Sequence, residues 1–274
     1  MSIKTAYVTG GASGIGLAVV QMLATRGVRV AIADRNFAGA QSVASTINGA
    51  IAVEIDASDW DSQLGAFKRA LEEFIRIDYV YAVAGIGERK WIPNDPHAVD
   101  FSRPDMSVLD VDLTGPLYTA ALAIQQMRRQ APDEKGLRGK IAIAASVCGF
   151  YCIPTLPLYT AAKHGVVGFV RSYGKHLPTE AITLNAVCPN IVKTNISTNA
   201  FYDQVEPLNL LVPMSSVVEA FERCLDSEIL GETLEVETHS GIIHRSAPEP
   251  LDNAAVESLG MLHRRAAPLH EPTE

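Results

Sequence analysis

A chain of 274 residues, 47% hydrophobic and 20% charged, has the composition of an ordinary folded protein and enough length for a sizeable core. Its formal net charge of -8, with no basic cluster, argues against nucleic acid or an anionic membrane as the main partner. No uninterrupted apolar run spans a bilayer and no apolar signal core follows the N-terminus, so a cytoplasmic protein is expected. Cys148 and Cys152 are spaced C-x-x-x-C without histidine partners, and Cys188 and Cys224 are isolated. No metal site is expected, and reduced cysteines suit a reducing compartment.

Residues 4–9 read as a short strand around Ala6, Tyr7 and Val8. The turn Thr9-Gly10-Gly11-Ala12-Ser13-Gly14-Ile15-Gly16 follows, and then a helix with Ile15, Val19, Val20, Leu23 and Ala24 on its apolar side. That helix stops at Gly27, and residues 28–33 form a second strand that closes on Asp34. Glycines in such a strand–turn–helix unit permit a tight turn and let the backbone approach a pyrophosphate at a helix N-terminus. An acidic residue about 20 residues beyond the glycines is placed to bind ribose hydroxyls. Asp34 would repel a 2′-phosphate, which favours NAD(H) over NADP(H), and the adjacent Arg35 would blunt that preference.

Helices and strands continue to alternate. Residues 37–47 read as a helix and 50–55 as a strand that ends at Asp56-Ala57. Residues 60–74 form a helix with Leu64, Phe67, Leu71 and Phe74 on one face, and 78–83 a strand that runs into Ala84-Gly85. This pattern predicts an α/β fold: a single doubly wound, Rossmann-type parallel sheet with helices on both faces and ligands at the carboxyl ends of the strands. Asp56 can accept a hydrogen bond from an adenine amino group or can cap the following helix.

Residues 86–103 break the alternation, and within them 86–96 is a polar loop with one large aromatic, Trp91, that either borders a substrate pocket or is plain surface. A long helix is expected over 104–130 and a buried strand over 140–145 that ends at Ser146. The next helix carries Tyr159 and Lys163, four residues apart and therefore on one face. A cation within a few ångströms favours a phenolate, so this pair is a workable acid/base unit. Residues 182–188 read as a strand, 190–212 as an irregular apolar lid, 217–225 as a helix and 232–238 as the last strand. One catalytic domain over 1–247 and a C-terminal extension over 248–274, with a short helical stretch at 254–262, complete the chain.

In combination, Thr9-Gly10-x-x-x-Gly14-x-Gly16, Asp34, Asp56, Ala84-Gly85, Ser146, Tyr159-x-x-x-Lys163, Pro189 and Thr194 resemble the short-chain dehydrogenase/reductase family over nearly the whole chain. The stretch from Pro157 to Gly168 is similar to that of NAD-dependent members such as 15-hydroxyprostaglandin dehydrogenase and of fungal polyketide alcohol dehydrogenases such as 5′-hydroxyaverantin dehydrogenase. The resemblance implies Tyr159 as general acid/base, with Lys163 lowering its pKa and holding the nicotinamide ribose. Ser146 would hydrogen-bond the substrate oxygen. It further implies that Gly10, Ser13, Gly14, Ile15 and Gly16 cradle the pyrophosphate, with Asp34, Arg35, Asp56, Ala57, Ala84 and Gly85 along the adenosine. Pro189, Val192 and Thr194 would hold the nicotinamide end. The same resemblance implies a homodimer or homotetramer built on the 104–130 helix and the Tyr159 helix.

Four positions depart from the family pattern. Ala82-Val83 replaces a pair of asparagines before Ala84-Gly85, and Asp112 stands where a catalytic asparagine is common. An anion at Asp112 would raise the pKa of Tyr159, against Lys163. Asn190 replaces a glycine after Pro189, a change that a left-handed backbone would tolerate in asparagine. Gly149, Phe150, Tyr151, Ile153 and the 190–212 lid point to a bulky apolar secondary alcohol or ketone as substrate. The alternative is a dinucleotide-binding protein of the same fold without redox activity.

Overall fold

The structure, a computed structural model, describes residues 3–227 and 229–271. Seven strands pair in parallel: β1 (Thr5–Thr9), β2 (Arg29–Asp34), β3 (Ile51–Glu54), β4 (Tyr79–Ala82), β5 (Gly139–Ala144), β6 (Ile182–Pro189) and β7 (Thr233–Glu237). The order across the sheet is β3-β2-β1-β4-β5-β6-β7, and β8 (Gly241–His244) closes one edge antiparallel to β7. The chain moves outward from β1 to β3 and then returns to start β4 on the other side of β1. The connections at the carboxyl ends of β1 and β4 therefore leave in opposite directions and open a crevice.

The helices are α1 (Gly14–Thr25), α2 (Phe37–Ser45), α3 (Trp60–Phe74), α4 (Ser107–Leu109), α5 (Gly115–Arg128), α6 (Pro157–Tyr173), α7 (Asn199–Val205), α8 (Met214–Asp226) and α9 (Asn253–Ala266). Strand side chains alternate between faces. Tyr7 of β1 packs with Phe67 of α3, Met127 of α5 and Val170 of α6 on one side. Its neighbours Ala6 and Val8 pack with Val19 and Leu23 of α1, Ala40 of α2 and Phe221 of α8 on the other. The doubly wound α/β architecture read from the alternating elements is the one found.

Four elements differ from the sequence reading. The strand over 232–238 is not the last. Residues 238–240 turn and Gly241, at φ 70°, starts β8; a left-handed glycine after a three-residue turn is a common hairpin closure. The helix expected over 104–130 begins at Ser107 and widens to a π-helical segment, Asp110–Thr114, between α4 and α5. The 190–212 stretch contains α7, which starts where Thr198 accepts a hydrogen bond from the Phe201 N–H at 3.2 Å. Tyr202 and Val205 of α7 are buried. The tail helix α9 outruns the expected 254–262 stretch. Asp252 caps it by accepting from Ala255 N–H at 2.8 Å, and none of its residues is buried. The expected boundary at 247 is thus followed by an amphipathic helix that leaves Val256, Leu259, Met261 and Leu262 exposed.

Candidate active site

At the carboxyl ends of β1 and β4 the glycine turn folds back on the chain. Gly10 has φ 69°, and a Cβ there would stand 2.8 Å from the Ala84 Cα. A Cβ on Gly16 would lie 2.0 Å from the Gly10 carbonyl oxygen. Both positions require glycine, and together they leave an open cradle at the N-terminus of α1. Thr9 ties the two turns together, since its hydroxyl oxygen accepts from the Val83 and Ala84 N–H groups at 3.1 and 3.2 Å. This bond holds the Ala84-Gly85 backbone in place although the side chains at 82 and 83 carry no polar group.

Asp34 ends β2 on the rim of the crevice. One of its oxygens accepts from the Ala12 N–H at 2.9 Å and the other from the Asn36 N–H at 2.8 Å, so the carboxylate braces the glycine turn and keeps lone pairs for hydroxyl donors. Asp56 is not a helix cap. Asp59 caps α3, accepting from Ser62 N–H at 2.7 Å. Asp56 instead accepts from the Ser58 hydroxyl at 2.6 Å and N–H at 2.9 Å, which together with the exposed Arg35 hold its carboxyl below the ordinary aspartate value.

The polar centre lies at the ends of β4 and β5 and on α6. Ser146, just beyond β5, and Lys163, one turn along α6 from Tyr159, are both buried. The Lys163 ammonium sits 5.2 Å from the Tyr159 ring centre and 3.2 Å from Asp112 Oδ2. Asp112 has no exposed surface, and its other oxygen accepts from the Ile86 N–H at 2.8 Å. A Cβ on Gly85 would fall 3.5 Å from Asp112 and 3.7 Å from Lys163, so glycine lets the backbone pass beside the ion pair. Burial is the strongest influence on Tyr159 and raises its pKa. Lys163 pulls it down, Asp112 pushes it up and Ser146 pulls it down, and the net direction is upward. Lys163 lowers and Asp112 raises the Tyr159 pKa, each in the direction expected from the sequence, and burial outweighs the lysine. Burial also disfavours the Lys163 cation, but Asp112 and the Tyr159 oxygen more than offset it and lift its pKa above the ordinary lysine value.

The chain after β6 closes the other side. Thr194 packs against the glycine turn, 3.3 Å from where a Gly14 Cβ would be, and its N–H donates to the buried Tyr202 hydroxyl at 3.3 Å. Asn190 does not use the left-handed backbone that asparagine tolerates. Its amide instead donates to both oxygens of Glu237, at 3.1 and 2.9 Å, and its own oxygen accepts from Ile191 N–H.

One cavity of about 580 Å³ collects these groups. It is lined by every residue singled out from the sequence for catalysis or cofactor binding except Asp112, which lies behind Lys163. Phe150, Tyr151 and Ile153 do not line it. Arg171 and Arg245 lie over the Phe150 ring at 5.1 and 5.3 Å, so that aromatic serves the protein's own packing. Ile86, Val111, Val192 and Ile196 supply the apolar lining instead. Glu88 and Arg89, in the loop expected either to border a substrate pocket or to be plain surface, line the cavity too, as does Asn195. Glu88 reaches across 71 positions to accept from the Tyr159 N–H at 2.8 Å. A cap supplied from so far away leaves no local sequence signal, whereas capping boxes are read at short spacing.

The model of the family described as short chain dehydrogenase matches residues 4–205. The chain belongs to the short-chain dehydrogenase/reductase family. Within that family it is 38% identical over 148 residues to the short-chain dehydrogenase/reductase prx7 of Penicillium rubens, covering 52% of each chain. It is 30% identical over 202 residues to human 15-hydroxyprostaglandin dehydrogenase [NAD(+)], covering 70% of each. The match to prx7 spans about half of that relative's length, and the match to prx4 of the same organism spans 56%. Among solved structures, the 3-ketoacyl-(acyl-carrier-protein) reductase of Brucella melitensis complexed with NADH superposes with a TM-score of 0.73 at 26% identity, covering 86% of this chain and 97% of that one. No helix among the described residues is long and apolar enough to cross a membrane.

Proposed function

We propose that the protein is an NAD(H)-dependent oxidoreductase that interconverts a secondary alcohol and a ketone. The observation that carries the proposal is the convergence of Ser146, Tyr159 and Lys163 with the glycine cradle and Asp34 in one cavity. The residues present fit a nicotinamide dinucleotide. Gly10, Ser13, Gly14, Ile15 and Gly16 offer backbone and space for a pyrophosphate, and Asp34 and Asp56 offer carboxylates to an adenosine ribose and base. Arg35, Ala57, Ala84 and Gly85 complete that side, and Pro189, Val192 and Thr194 face the nicotinamide end. When bound, the dinucleotide supplies or accepts the hydride.

The chain's own part is to hold the substrate oxygen and move its proton. Tyr159 takes the proton from an alcohol, or returns it to a ketone oxygen. Lys163 sits under its ring and stabilises the phenolate form, and Ser146 donates a hydrogen bond to the same substrate oxygen as charge develops. Asp112 holds Lys163 in its buried position and opposes the phenolate, so it is a positioning residue with an electrostatic cost.

Asp34 supports NAD(H) over NADP(H), as does the NAD(+) in the name of the human relative. The apolar lining at Ile86, Val111, Val192 and Ile196 supports a substrate with an apolar body, and the resemblance to fungal polyketide alcohol dehydrogenases supports a secondary metabolite or lipid-like compound. Exposed small residues on α6, Ala161, Gly168 and Ser172, and exposed Gln125 on α5 support a homodimer or homotetramer packed through those helices. A cytoplasmic catalytic domain over 1–247 with an extension over 248–274 accords with the same reading.

The test is the absorbance of reduced nicotinamide during incubation with NAD and a panel of apolar secondary alcohols. Turnover that disappears in Tyr159→Phe supports the proposal. Tight NAD binding without turnover of any alcohol or ketone favours the second reading, a dinucleotide-binding protein without redox activity, for which the buried Asp112 is the specific support.

A further inference from the structure

The chain that leaves β6 runs along the cavity, with Asn190, Val192 and Thr194 in its wall. The end of β7 sets its course. The Asn190 N–H donates to the Val236 carbonyl at 3.0 Å, and the Asn190 side-chain amide donates to both Glu237 oxygens. With its nitrogen held there, Asn190 turns Oδ1 back to accept from the Ile191 N–H at 2.9 Å. The Ile191 carbonyl accepts from the Val212 N–H at 2.8 Å, and the Thr238 hydroxyl donates to the Leu210 carbonyl at 3.0 Å. Glu237, the last residue of β7, and Thr238, the first of the following turn, therefore hold the two ends of the 190–212 segment. Arg245 is engaged by Glu235, at 3.3 Å, and Glu237 keeps both oxygens for Asn190. A carboxylate that accepts from an amide makes a stronger bond than two neutral groups do.

We infer that Glu237 is a positioning residue for the nicotinamide end of the dinucleotide: by fixing Asn190 it sets the path of the chain from Ile191 to Thr194 along that end of the cavity. This deepens the proposed function and rests on it for the nature of the ligand. Glu237 acts through Asn190 and has no part in holding the adenosine end. There the glycine turn and Asp34 are braced by their own bonds, from the Ala12 and Asn36 amides to the Asp34 carboxylate. Without the Glu237 carboxylate the Asn190 side chain is free to turn and the Ile191 N–H loses its acceptor. Of the bonds at Asn190, only the one from its N–H to the Val236 carbonyl then remains. Glu237→Gln keeps a carbonyl oxygen for the Asn190 amide, whereas Glu237→Ala keeps none.

The experiment is calorimetric titration of the full chain with NADH and with ADP-ribose, which carries the adenosine and pyrophosphate but no nicotinamide. Glu237→Ala is expected to weaken NADH binding by about tenfold, the worth of a hydrogen bond to a charged group, and to leave ADP-ribose binding as in the wild type. Glu237→Gln is expected to bind NADH more tightly than Glu237→Ala does. Asn190→Ala, which breaks the same pair from the other side, should give the same selective loss, and the double variant should lose no more than either single one. Unchanged NADH affinity in Glu237→Ala, an equal loss for both compounds, or losses that add in the double variant would overturn the inference. Should Glu237→Ala not fold, Asn190→Ala and Glu237→Gln decide it by the same comparison. A wild type that binds neither compound removes the dinucleotide reading and the inference with it, whereas a wild type that binds both, with no selective loss in the variants, removes the inference alone.

Discussion

Lys163 stands between two groups with opposite demands, 3.2 Å from the Asp112 carboxylate and 5.2 Å from the centre of the Tyr159 ring. The lysine stabilises a phenolate, and the aspartate opposes it. Alcohol oxidation needs the phenolate as base, so its rate is expected to rise with pH through the raised pKa of Tyr159, and ketone reduction, which needs the phenol, to fall over the same range. Asp112→Asn removes the anion and leaves a side chain of similar shape. The oxidation limb of the pH–rate profile should move to lower pH. A limb that stays in place would mean that Asp112 exerts no electrostatic control.

The same pair is a stability element. Removing one partner of a buried ion pair leaves the other charge uncompensated and typically costs about 3–5 kcal/mol. Asp112→Ala should lower stability by that order in denaturant titration, because Lys163 is 4% exposed and keeps only the Ala144 carbonyl, at 3.4 Å. The folded-state pKa of Lys163 is raised, so the contribution of the lysine is fully present below the ordinary lysine value and is lost as pH rises through the raised one. Near-wild-type stability of Asp112→Ala at neutral pH would show that Lys163 is not charged in the folded protein.

Asp34 does two things, and the assay has to separate them. Its oxygens hold the Ala12 and Asn36 amides, so Asp34→Ala is expected to loosen the glycine turn for any dinucleotide. Taking the ratio of NAD to NADP affinity cancels that common loss. The variant should reduce the preference for NAD by about tenfold or more, the worth of hydrogen bonds to a charged group together with relief of repulsion on a 2′-phosphate. An unchanged ratio by fluorescence titration would remove Asp34 as the specificity element.

Thr9 is 2% exposed and is the polar side chain that accepts from both the Val83 and Ala84 amides. Thr9→Val keeps the shape and leaves the two amides without that acceptor, at about 1–3 kcal/mol. Denaturant titration should show the loss, and dinucleotide affinity should fall with it because the Ala84-Gly85 turn lines the cavity. Full stability would mean that water replaces the hydroxyl.

The sheet and the clustering of the glycine turn, Asp34, Tyr159 and Lys163 around one cavity could be read from the residues because their signals are local. Gly10, Gly14 and Gly16 sit within one turn, Asp34 ends the next strand, and Tyr159 and Lys163 share a helix face. β8 escaped because four residues, Gly-Ile-Ile-His, carry no distinct alternation and depend on the turn before Gly241. Phe150 and Tyr151 were assigned to the substrate because apolar residues near Ser146 suggest a pocket, whereas Arg171 and Arg245, distant in sequence, cover Phe150. Glu88 and the Asn190–Glu237 pair are bonds across 71 and 47 positions, and composition and spacing carry no trace of such pairings.

The most direct measurement is the reduction of NAD by a secondary alcohol followed through nicotinamide absorbance, with wild type and Tyr159→Phe compared at equal dinucleotide saturation. Turnover in the wild type should fall by about a hundred- to ten-thousand-fold in the variant while NADH binding is unchanged. Undiminished turnover in Tyr159→Phe would contradict the assignment of the acid/base role on which the account rests.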